Sequence, residues 1–570
     1  MTKRLTTVDE AEEVTRQEGV LDITLGELMD IQAGNHPDND ALVYVDRGLR
    51  YTYNEFNEIC RRAAKGFMKM GIKKGDHVAI WATNVPEWVA TQFATGKMGA
   101  VMVTINTNYK VFELEYLLKQ SDATTLILID GWKDSSYTGI IDELCPELKE
   151  SQPGDLNSER LPLLKNVIYI GDDCPPGMYS WSELIEMGNT VSDAELEERQ
   201  NSLKPDEVIN MQYTSGTTGF PKGVMLTHKN IVNNAIAIAN CMNFTYRDRL
   251  CIPVPFFHCF GCVLGTLTCV VSGATMVPIV AYNPVQVLEA IQEERCTAVH
   301  GVPTMFIAEL NLPEFDSYNL SSLRTGIMAG SPCPIETMKQ VVERMGAGEI
   351  TITYGQTEAA PAITMTRTND PINLRVTTVG KKIPGVEVKI VDPETGAEVP
   401  RGVQGELCAR GYNVMKGYYK LPEATRAAID DESWLHTGDL ATMDENGYCK
   451  ITGRVKDMII RGGENIYPRE IEEFLYTHPQ ILDVQVVGVP DTKYGEEVTA
   501  YICLREGEKL TGEEVKEYCQ GKIARYKIPR YVQIIEGFPM TASGKIQKYK
   551  LREMAIETLG LQDAASIETA

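Results

Sequence analysis

Short apolar segments alternate with segments of helical spacing in the first third of the chain. The apolar segments at 77–81, 100–105 and 124–129 predict strands. Between them, apolar residues at 86–99 and 113–120 recur with a spacing that predicts helices. Strands that alternate with helices in this way form a parallel sheet, and the helices cover its faces.

The same alternation returns further along the chain, with predicted strands at 274–279, 298–302 and 325–328. Residues 141–200 interrupt it, because they are acidic and rich in Pro and Ser, and we expect a surface excursion there. Together these segments predict a large N-terminal body of α/β subdomains.

The pattern changes after about residue 380. Short apolar segments at 386–391, 405–409 and 447–451 are separated by Pro, Gly and Asp residues. Such spacing is typical of antiparallel strands joined by tight turns. We therefore expect a β-rich segment over about 380–452.

The last part of the chain mixes short strands at 484–489 and 498–504 with a charged helix near 512–520. This mixture predicts a small α+β domain. The fold class is thus α/β, with an N-terminal domain over residues 1–455 and a C-terminal domain over residues 456–570.

The 570-residue chain carries 55 Lys and Arg against 79 Asp and Glu, a formal net charge of −24. This balance argues against a nucleic-acid-binding protein, which usually has a basic face. The first residues lack the apolar core of a signal peptide, and no apolar segment is long enough to predict a membrane span. The 14 cysteines show no regular spacing, which favours reduced thiols and a cytoplasmic location.

The densest candidate chemistry lies at 213–223, in the order Tyr-Thr-Ser-Gly-Thr-Thr-Gly-Phe-Pro-Lys-Gly. Glycines let a backbone approach a phosphate, and hydroxyl and ammonium groups bind its oxygens. A plain Ser/Thr/Gly surface loop is the alternative. The order of residues excludes a Walker A loop, and no G-x-G-x-x-G segment follows a strand, which argues against a dinucleotide-binding dehydrogenase. The candidate phosphate ligands are Thr214, Ser215, Gly216, Thr217, Thr218, Gly219 and Lys222.

This segment resembles the phosphate loop of the acyl-adenylate-forming superfamily, in particular its acyl-CoA synthetases for medium-chain and cyclic acids. Four further motifs of the superfamily follow in order, at 354–358, at 437–439, at 453–457 leading into 461–465, and at 543–545. The resemblance implies an ATP-dependent acid–thiol ligase. Such an enzyme activates a carboxylic acid as an acyl-adenylate and passes the acyl group to coenzyme A, with release of AMP and pyrophosphate.

The resemblance also implies a role for each motif. The phosphate loop holds the β- and γ-phosphates, Thr357 contacts the α-phosphate and Glu358 binds Mg²⁺. Lys545 bridges the substrate carboxylate and the α-phosphate during adenylation. The remaining nucleotide contacts are Gly330, Ser331, Tyr354, Gly355 and Gln356 around the adenine, and Asp439 and Arg454 at the ribose.

Lys456 resembles the hinge of the superfamily, about which the C-terminal domain rotates between two poses. Two poses have a physical reason, because Lys545 must contact the first transition state and then leave room for a thiol. In the second pose the implied neighbours of coenzyme A are Arg461, Gly462, Gly463 and Glu464. Without the resemblance, the same residues would be interpreted as a charged turn.

An apolar region with aromatic residues is the candidate acid pocket. Its predicted members are Phe256, Phe257, His258, Val302, Ala329 and Gly330. His258 is placed near the substrate carboxylate, although a buried His bonded to backbone is an equal alternative. Cys259 and Cys262 form C-x-x-C without a second such pair nearby, so we do not expect a metal there. None of the five Trp falls in these motifs, which favours a medium-chain or cyclic hydrophobic acid over acetate.

Two alternatives remain open at this point. The acceptor of the acyl group could be a carrier protein rather than coenzyme A, and the chain could be a nucleotide-binding regulator without turnover. The intact set of Lys222, Glu358, Asp439, Arg454 and Lys545 argues against the regulator. The expected partners are small molecules only, namely the acid, ATP with Mg²⁺, and coenzyme A. The sequence leaves open the particular acid, the oligomeric state and the physiological direction of the reaction.

Overall fold

The computed structural model describes residues 19–214, 221–330, 333–454, 457–461, 464–491, 494–520, 522–523, 525–541 and 546–562. Over these residues the chain forms a large α/β body, a β-rich segment and a smaller α+β C-terminal part. The predicted α/β class is therefore confirmed. The predicted domain boundary at 455/456 lies outside the described residues.

One sheet of the body contains the strands predicted around residue 100. His77–Trp81 lies between Val101–Thr104 and Thr125–Ile129 and pairs parallel with both. Pro86–Met98 and Val111–Gln120 are the helices between these strands. Among the described residues the order across this sheet is Gly417–Tyr418, Lys222–Thr227, Val208–Thr214, Val101–Thr104, His77–Trp81, Thr125–Ile129, Asn166–Ile170 and Tyr179–Ser180.

The surface excursion predicted at 141–200 is wrong for its later part. Asn166–Ile170 pairs parallel with Thr125–Ile129 and is a strand of the same sheet. The helix Trp181–Gly188 packs so closely on Tyr53–Lys69 that a Cβ atom at Gly66 would lie 2.1 Å from the Leu184 carbonyl oxygen. The acidic, Pro-rich composition of the connecting turns concealed these short elements.

A second, mixed sheet of the body contains the strands predicted at 274–279, 298–302 and 325–328. Its central strands Thr275–Pro278, Arg249–Ile252, Ala298–Gly301, Thr325–Met328 and Thr351–Gly355 are parallel neighbours in that order. At the flanks lie Asp40–Tyr44 with Leu49–Thr52 on one side, and Ala362–Met365 with Lys381–Lys382 on the other.

The β-rich segment is an antiparallel sheet, as predicted. Its strands follow the chain order Val386–Val391, Gly405–Gly411, Leu435–Met443 and Cys449–Arg454. A short turn joins Leu435–Met443 to Cys449–Arg454, whereas the connection from Gly405–Gly411 to Leu435–Met443 contains the strand Gly417–Tyr418 and the helix Pro422–Ala428.

The C-terminal part has its own sheet and its own apolar core. Ile481–Asp491 and Gly495–Leu504 form a long antiparallel pair, and Tyr531–Ile534 joins the second of them in parallel. Ile459–Arg461 and Glu464–Ile466 complete the sheet among the described residues. The helix Pro468–Leu475 contacts the body, because Arg469 donates a hydrogen bond to the Cys333 carbonyl oxygen at 3.4 Å.

Helices cover the faces of the three α/β and α+β sheets, and many begin at a Ser or Thr whose side chain caps the first turn. Thr24, Thr52, Ser180, Thr227 and Thr511 form such capping boxes with a residue three positions later. In the described ranges no helix has the length and apolar character needed to cross a membrane. Further α-helices of the described residues are Leu25–Asn35, Tyr137–Leu144, Asp193–Asn201, His228–Cys241, Cys259–Gly261, Thr268–Ser272, Pro284–Glu293, Pro303–Leu310, Ile335–Arg344, Ile372–Thr377, Pro422–Ala428, Gly512–Cys519 and Lys548–Thr558.

Candidate nucleotide and acid site

The predicted phosphate loop connects two paired strands. Val208–Thr214 and Lys222–Thr227 are antiparallel neighbours, and Thr214 lies directly opposite Lys222. The strand pairing therefore fixes the two ends of the loop at one edge of the sheet. Ser215, Gly216, Thr217, Thr218 and Gly219 lie outside the described residues.

Lys222 and Glu358 meet at one aromatic side chain. The Lys222 ammonium group lies 4.8 Å from the centre of the Tyr418 ring, a cation–π contact. The Tyr418 hydroxyl donates a hydrogen bond to Oε1 of Glu358 at 2.8 Å. Burial, followed by the charge of Glu358, raises the pKa of Tyr418, so its hydroxyl stays protonated and remains a donor.

The Glu358 backbone is fixed as well as its side chain. Its carbonyl oxygen accepts a hydrogen bond from the Met415 N–H at 2.8 Å. Glu358 lies in the short helical turn Thr357–Ala359, directly after the strand Thr351–Gly355. The candidate Mg²⁺-binding carboxylate and the candidate phosphate-binding lysine thus contact the same tyrosine.

The adenine and ribose motifs also meet. The Tyr354 hydroxyl donates to Oδ2 of Asp439 at 2.7 Å, although the two residues lie in different sheets. Asp439 lies directly opposite Arg454 across two strands of the β-rich segment. At Gly355 an added Cβ would lie 1.9 Å from the Pro361 carbonyl oxygen, so the close backbone approach there requires glycine.

A cysteine thiol beside the predicted acid-pocket residues contacts the 354–358 motif. The Sγ atom of Cys259 lies 3.6 Å from Oγ1 of Thr357, the predicted α-phosphate contact. His258 caps the turn Cys259–Gly261, because its Nδ1 atom accepts the Phe260 N–H at 3.1 Å. His258 therefore forms a hydrogen bond with the backbone, which the alternative prediction expected. Its neighbour in sequence is Cys259, which contacts Thr357.

Gly330, Val302 and Phe260 surround one small space. A Cβ atom built on Gly330 would lie 3.0 Å from Cγ1 of Val302 and 3.9 Å from Cδ1 of Phe260. Gly330 has a φ of +88°, which favours glycine. Ala329 precedes it and is hydrogen-bonded through its N–H to the Gly301 carbonyl oxygen at 3.2 Å.

The other predicted pocket aromatics lie in different surroundings. Phe256 is fully buried and packs against Trp88, with 5.3 Å between ring centres. Phe257 is buried except for 9% of its surface. The ring of the buried His300 stacks on Phe260 at 5.6 Å between ring centres.

Not all predicted site residues belong to the described part of the chain. Ser331, Lys456, Gly462, Gly463 and Lys545 lie outside the described residues, as do the side chains of Arg454 and Glu464. The Arg461 side chain is described, and its guanidinium group forms two hydrogen bonds of 2.8 Å with the buried carboxylate of Glu497. Tyr494 covers the same guanidinium group at 4.2 Å.

Two residues at the site escaped the sequence patterns, and a third belongs to the predicted aromatic segment without having been named as a pocket residue. Tyr418 bridges Lys222 and Glu358, Phe260 lines the candidate pocket, and Glu406 lies beneath the 437–439 motif. Phe260 belongs to the aromatic segment already noted, so its spacing was a usable signal. Tyr418 and Glu406 carried none, because their roles depend on contacts between segments far apart in sequence.

Two family models match this chain, one over its larger N-terminal part and one near its C-terminus. Residues 29–419 match the model of a family described as AMP-binding enzyme. Residues 470–545 match that of the AMP-binding enzyme C-terminal domain. Both matches are consistent with the order of the motifs described above.

Individual relatives cover almost the whole chain. A provisionally named acyl-CoA synthetase, YngI of Bacillus subtilis (strain 168), is 64% identical over 541 residues, which are 95% of this chain and 98% of that protein. The mitochondrial medium-chain acyl-CoA ligase ACSF2 of Danio rerio is 44% identical over 94% of this chain and 89% of its own. The crystal structure of the anthranilate CoA ligase AuaEII in complex with anthranoyl-AMP has a TM-score of 0.84 and 26% identity, and covers 96% of this chain and 99% of its own.

Proposed function

This chain belongs to the AMP-binding enzyme family and is an ATP-using acyl-CoA synthetase, and we propose that it activates a medium-chain or cyclic hydrophobic acid with Mg²⁺-bound ATP. The observation that carries the proposal is the contact between Cys259 and Thr357, at 3.6 Å. It joins the apolar acid pocket to the residue assigned to the α-phosphate, where a carboxylate must attack.

The chemistry explains why these groups lie together. A carboxylate is a poor electrophile, and conversion to an acyl-adenylate supplies a good leaving group for the later attack by a thiol. The attack on the α-phosphate spreads negative charge over phosphoryl oxygens, so fixed cations and donors aimed there stabilise the transition state. We assign Lys222 to the β- and γ-phosphates, Thr357 to the α-phosphate and Lys545 to the bridge between the α-phosphate and the acid.

Glu358 suits the magnesium ion that accompanies ATP. Mg²⁺ prefers oxygen ligands and is usually bound in proteins through one or two carboxylates together with substrate phosphates. Ligating carboxylates are typically oriented by a further hydrogen bond, and Tyr418 provides one to Glu358 at 2.8 Å. Bound there, Mg²⁺ would neutralise phosphate charge.

Ribose and adenine recognition is assigned to the other pair of motifs. Asp439 is 5% exposed and offers carboxylate oxygens as acceptors for the ribose hydroxyls, while Tyr354 packs against the adenine. Arg454, opposite Asp439 across the strand pair, is assigned to the ribose and phosphate.

The apolar wall around Gly330 supports the proposed acid class. Val302 and Phe260 are both buried hydrophobic residues, and the absence of a side chain at Gly330 leaves space between them. The names of the relatives agree, since ACSF2 is a medium-chain acyl-CoA ligase and AuaEII acts on a cyclic acid, anthranilate. Hydrophobic pockets of this kind discriminate weakly per methylene group, so activity over a range of chain lengths is expected.

The thiol half of the reaction is assigned by the motifs that follow. We propose that the C-terminal domain turns about Lys456, withdraws Lys545 and brings Gly462 and Gly463 towards the pantetheine arm of coenzyme A. Arg461, which precedes these glycines, is fixed by two hydrogen bonds to Glu497. We further propose a cytoplasmic location.

A substrate panel tests the proposed acid class. AMP release is measured with straight-chain acids from acetate to dodecanoate, together with benzoate and cyclohexanecarboxylate. The proposal expects the highest kcat/KM for a medium-chain or cyclic acid, and a maximum at acetate would contradict it. Trapping of the acyl-adenylate with hydroxylamine, with and without coenzyme A, separates the adenylation step from transfer to the thiol.

A further inference from the structure

The strand that carries Asp439 is interrupted by a large bulge. In the pairing of Gly405–Gly411 with Leu435–Met443, Glu406 lies opposite Leu440 and Cys408 lies opposite His436. Leu407 alone therefore faces Thr437, Gly438 and Asp439. Such bulges redirect side chains and are common beside active sites. At the end of this bulge Asp439 accepts the hydrogen bond of Tyr354, and on the other side of its strand it stays paired opposite Arg454.

A bulge removes backbone groups from the ladder, and those groups need new partners. Oγ1 of Thr437 donates to the Leu407 carbonyl oxygen at 2.7 Å and accepts the Asp439 N–H at 3.1 Å. The Gly438 N–H is bonded to Oε1 of Glu406 at 2.8 Å. Gly438 itself has a φ of +70°, so the middle of the bulge is held in a conformation that favours glycine.

The second oxygen of Glu406 is also engaged. Oε2 lies 2.9 Å from Nδ1 of His436, and Nε2 of the same ring lies 3.6 Å from Oδ2 of Asp430. The Glu406 side chain is only 14% exposed. A half-buried carboxylate with both oxygens bonded has a fixed orientation, and hydrogen bonds to charged groups are stronger than those between neutral groups.

We propose that Glu406, oriented by His436, is a positioning residue for nucleotide recognition. It holds the 437–439 bulge in the shape that presents the Asp439 carboxylate to the ribose hydroxyls. The inference rests on the ribose contact of Asp439 that is part of the proposed function. It adds a residue that touches no substrate atom and acts through the backbone of Gly438.

The selective readout is discrimination between ATP and its 2′-deoxy and 3′-deoxy analogues. Glu406→Leu should raise KM for ATP and reduce the preference for ATP over the deoxy analogues about tenfold, because a misplaced carboxylate gains little from either hydroxyl. KM for the acid should stay unchanged. Glu406→Gln retains an acceptor for the Gly438 N–H and should keep most of the preference. Pyrophosphate release at saturating acid gives the nucleotide values, and an acid titration at saturating ATP gives KM for the acid.

A matched control lies on the neighbouring strand. Glu387 is an exposed carboxylate that forms hydrogen bonds of 2.9 and 3.0 Å with Arg410, and Glu387→Leu should leave the preference unchanged. If Glu406→Leu does not fold, His436→Phe keeps Glu406 and removes the ring nitrogens that face Glu406, Asp430 and Cys408. It should reduce the preference about threefold, less than the loss of Glu406 itself.

Two results would overturn the inference. One is a loss of activity in Glu406→Leu that is equal for ATP and for both deoxy analogues, since a general structural defect would produce it. The other is a wild-type protein without any preference for ATP, which would remove the ribose contact of Asp439 and the role of Glu406 with it. Pyrophosphate release by that wild-type protein would still leave acyl-adenylate formation intact.

Discussion

The Tyr418 hydroxyl donates a hydrogen bond to the Glu358 carboxylate across 2.8 Å, while its ring lies 4.8 Å from the Lys222 ammonium group. One side chain thus contacts both the candidate magnesium ligand and the candidate phosphate ligand. The ring and the hydroxyl make separate contacts, so the two contributions can be tested separately.

Tyr418→Phe keeps the ring beside Lys222 and removes the hydrogen bond to Glu358. We expect the Mg²⁺ concentration needed for half-maximal adenylation to rise about tenfold, because the loss of such an orienting hydrogen bond typically weakens metal binding by 10- to 100-fold. At saturating Mg²⁺ most of the activity should return. A Mg²⁺ titration of pyrophosphate release at fixed free ATP measures the shift.

The adjacent tyrosine provides the control. The Tyr419 hydroxyl donates to Oδ2 of Asp122 at 2.9 Å and contacts neither Lys222 nor Glu358 in the described hydrogen bonds. Tyr419→Phe should therefore leave the Mg²⁺ requirement unchanged. An unchanged Mg²⁺ requirement in Tyr418→Phe would show that its hydroxyl does not orient the metal ligand.

Gly330→Ala tests the acid pocket. The added methyl group would lie 3.0 Å from Val302 and 3.9 Å from Phe260, in the space assigned to the acid. We expect kcat/KM to fall about tenfold for cyclic and longer acids and much less for short acids. In a hydrophobic pocket, one methylene group changes the free energy of transition-state binding by about 1–3 kcal/mol. The substrate panel described above measures this change of profile.

Gly402→Ala separates pocket narrowing from backbone strain. Gly402 has a similar φ of +79°, and a Cβ atom there would meet nothing within 4 Å. Both substitutions strain the backbone, but Gly402→Ala should leave the acid profile unchanged. Adding Val302→Ala to Gly330→Ala should restore activity with the larger acids. A uniform loss for all acids would place Gly330 outside the acid pocket.

The elements of regular structure were largely predictable, because each depends on a local pattern. The helix at 86–99 and the strands at 325–328 and 386–391 match the observed Pro86–Met98, Thr325–Met328 and Val386–Val391. Asn166–Ile170 was missed because the acidic turns around it dominate the composition of that region. Its burial depends on pairing with Thr125–Ile129, which no local pattern reveals.

The residues of the candidate site were also predictable only where they belong to a local sequence motif. Lys222, Glu358 and Asp439 belong to contiguous motifs, so a sequence comparison with a family locates them. Tyr418 reaches Glu358 because its strand pairs with Lys222–Thr227, with Tyr418 opposite Val224. Glu406 reaches Gly438 because of a bulge in a pair of strands. Registers between distant strands determine both contacts, and a single sequence does not contain them explicitly.

Two buried histidines should make the protein sensitive to acid. Burial lowers the pKa of His228 to about 3 and that of His300 to about 4. Both Nδ1 atoms accept backbone N–H groups, of Leu25 at 3.0 Å and Ile327 at 3.2 Å, which requires the neutral ring. The unfolded chain takes up these protons below about pH 6.5 and the folded chain does not, so stability falls as the pH falls from 6.5 towards 4.

At pH 5 each histidine should reduce the free energy of unfolding by about 2 kcal/mol relative to pH 7.5. His228→Asn keeps an acceptor without a titrating ring, so it should flatten the pH dependence even if it lowers stability at neutral pH. Denaturant titrations at pH 7.5 and pH 5 give the difference. The same loss between the two pH values in wild type and variant would exclude His228 as a source of acid sensitivity.

Lys545 should be needed for one half-reaction and dispensable for the other. It is assigned to the bridge between carboxylate and α-phosphate, whose charge develops during adenylation and is gone once the acyl-adenylate exists. Lys545→Ala should therefore reduce adenylation at least a hundredfold, the usual cost of removing a group that stabilises developing charge, and should spare thioester formation from supplied acyl-adenylate.

Lys550→Ala, at an exposed lysine in the helix Lys548–Thr558, is the control and should affect neither step. Pyrophosphate release measures adenylation, and consumption of free thiol measures transfer from the supplied acyl-adenylate. Equal losses in both half-reactions would contradict the assigned role, because a residue that withdraws before the thiol enters contributes nothing to the second transition state.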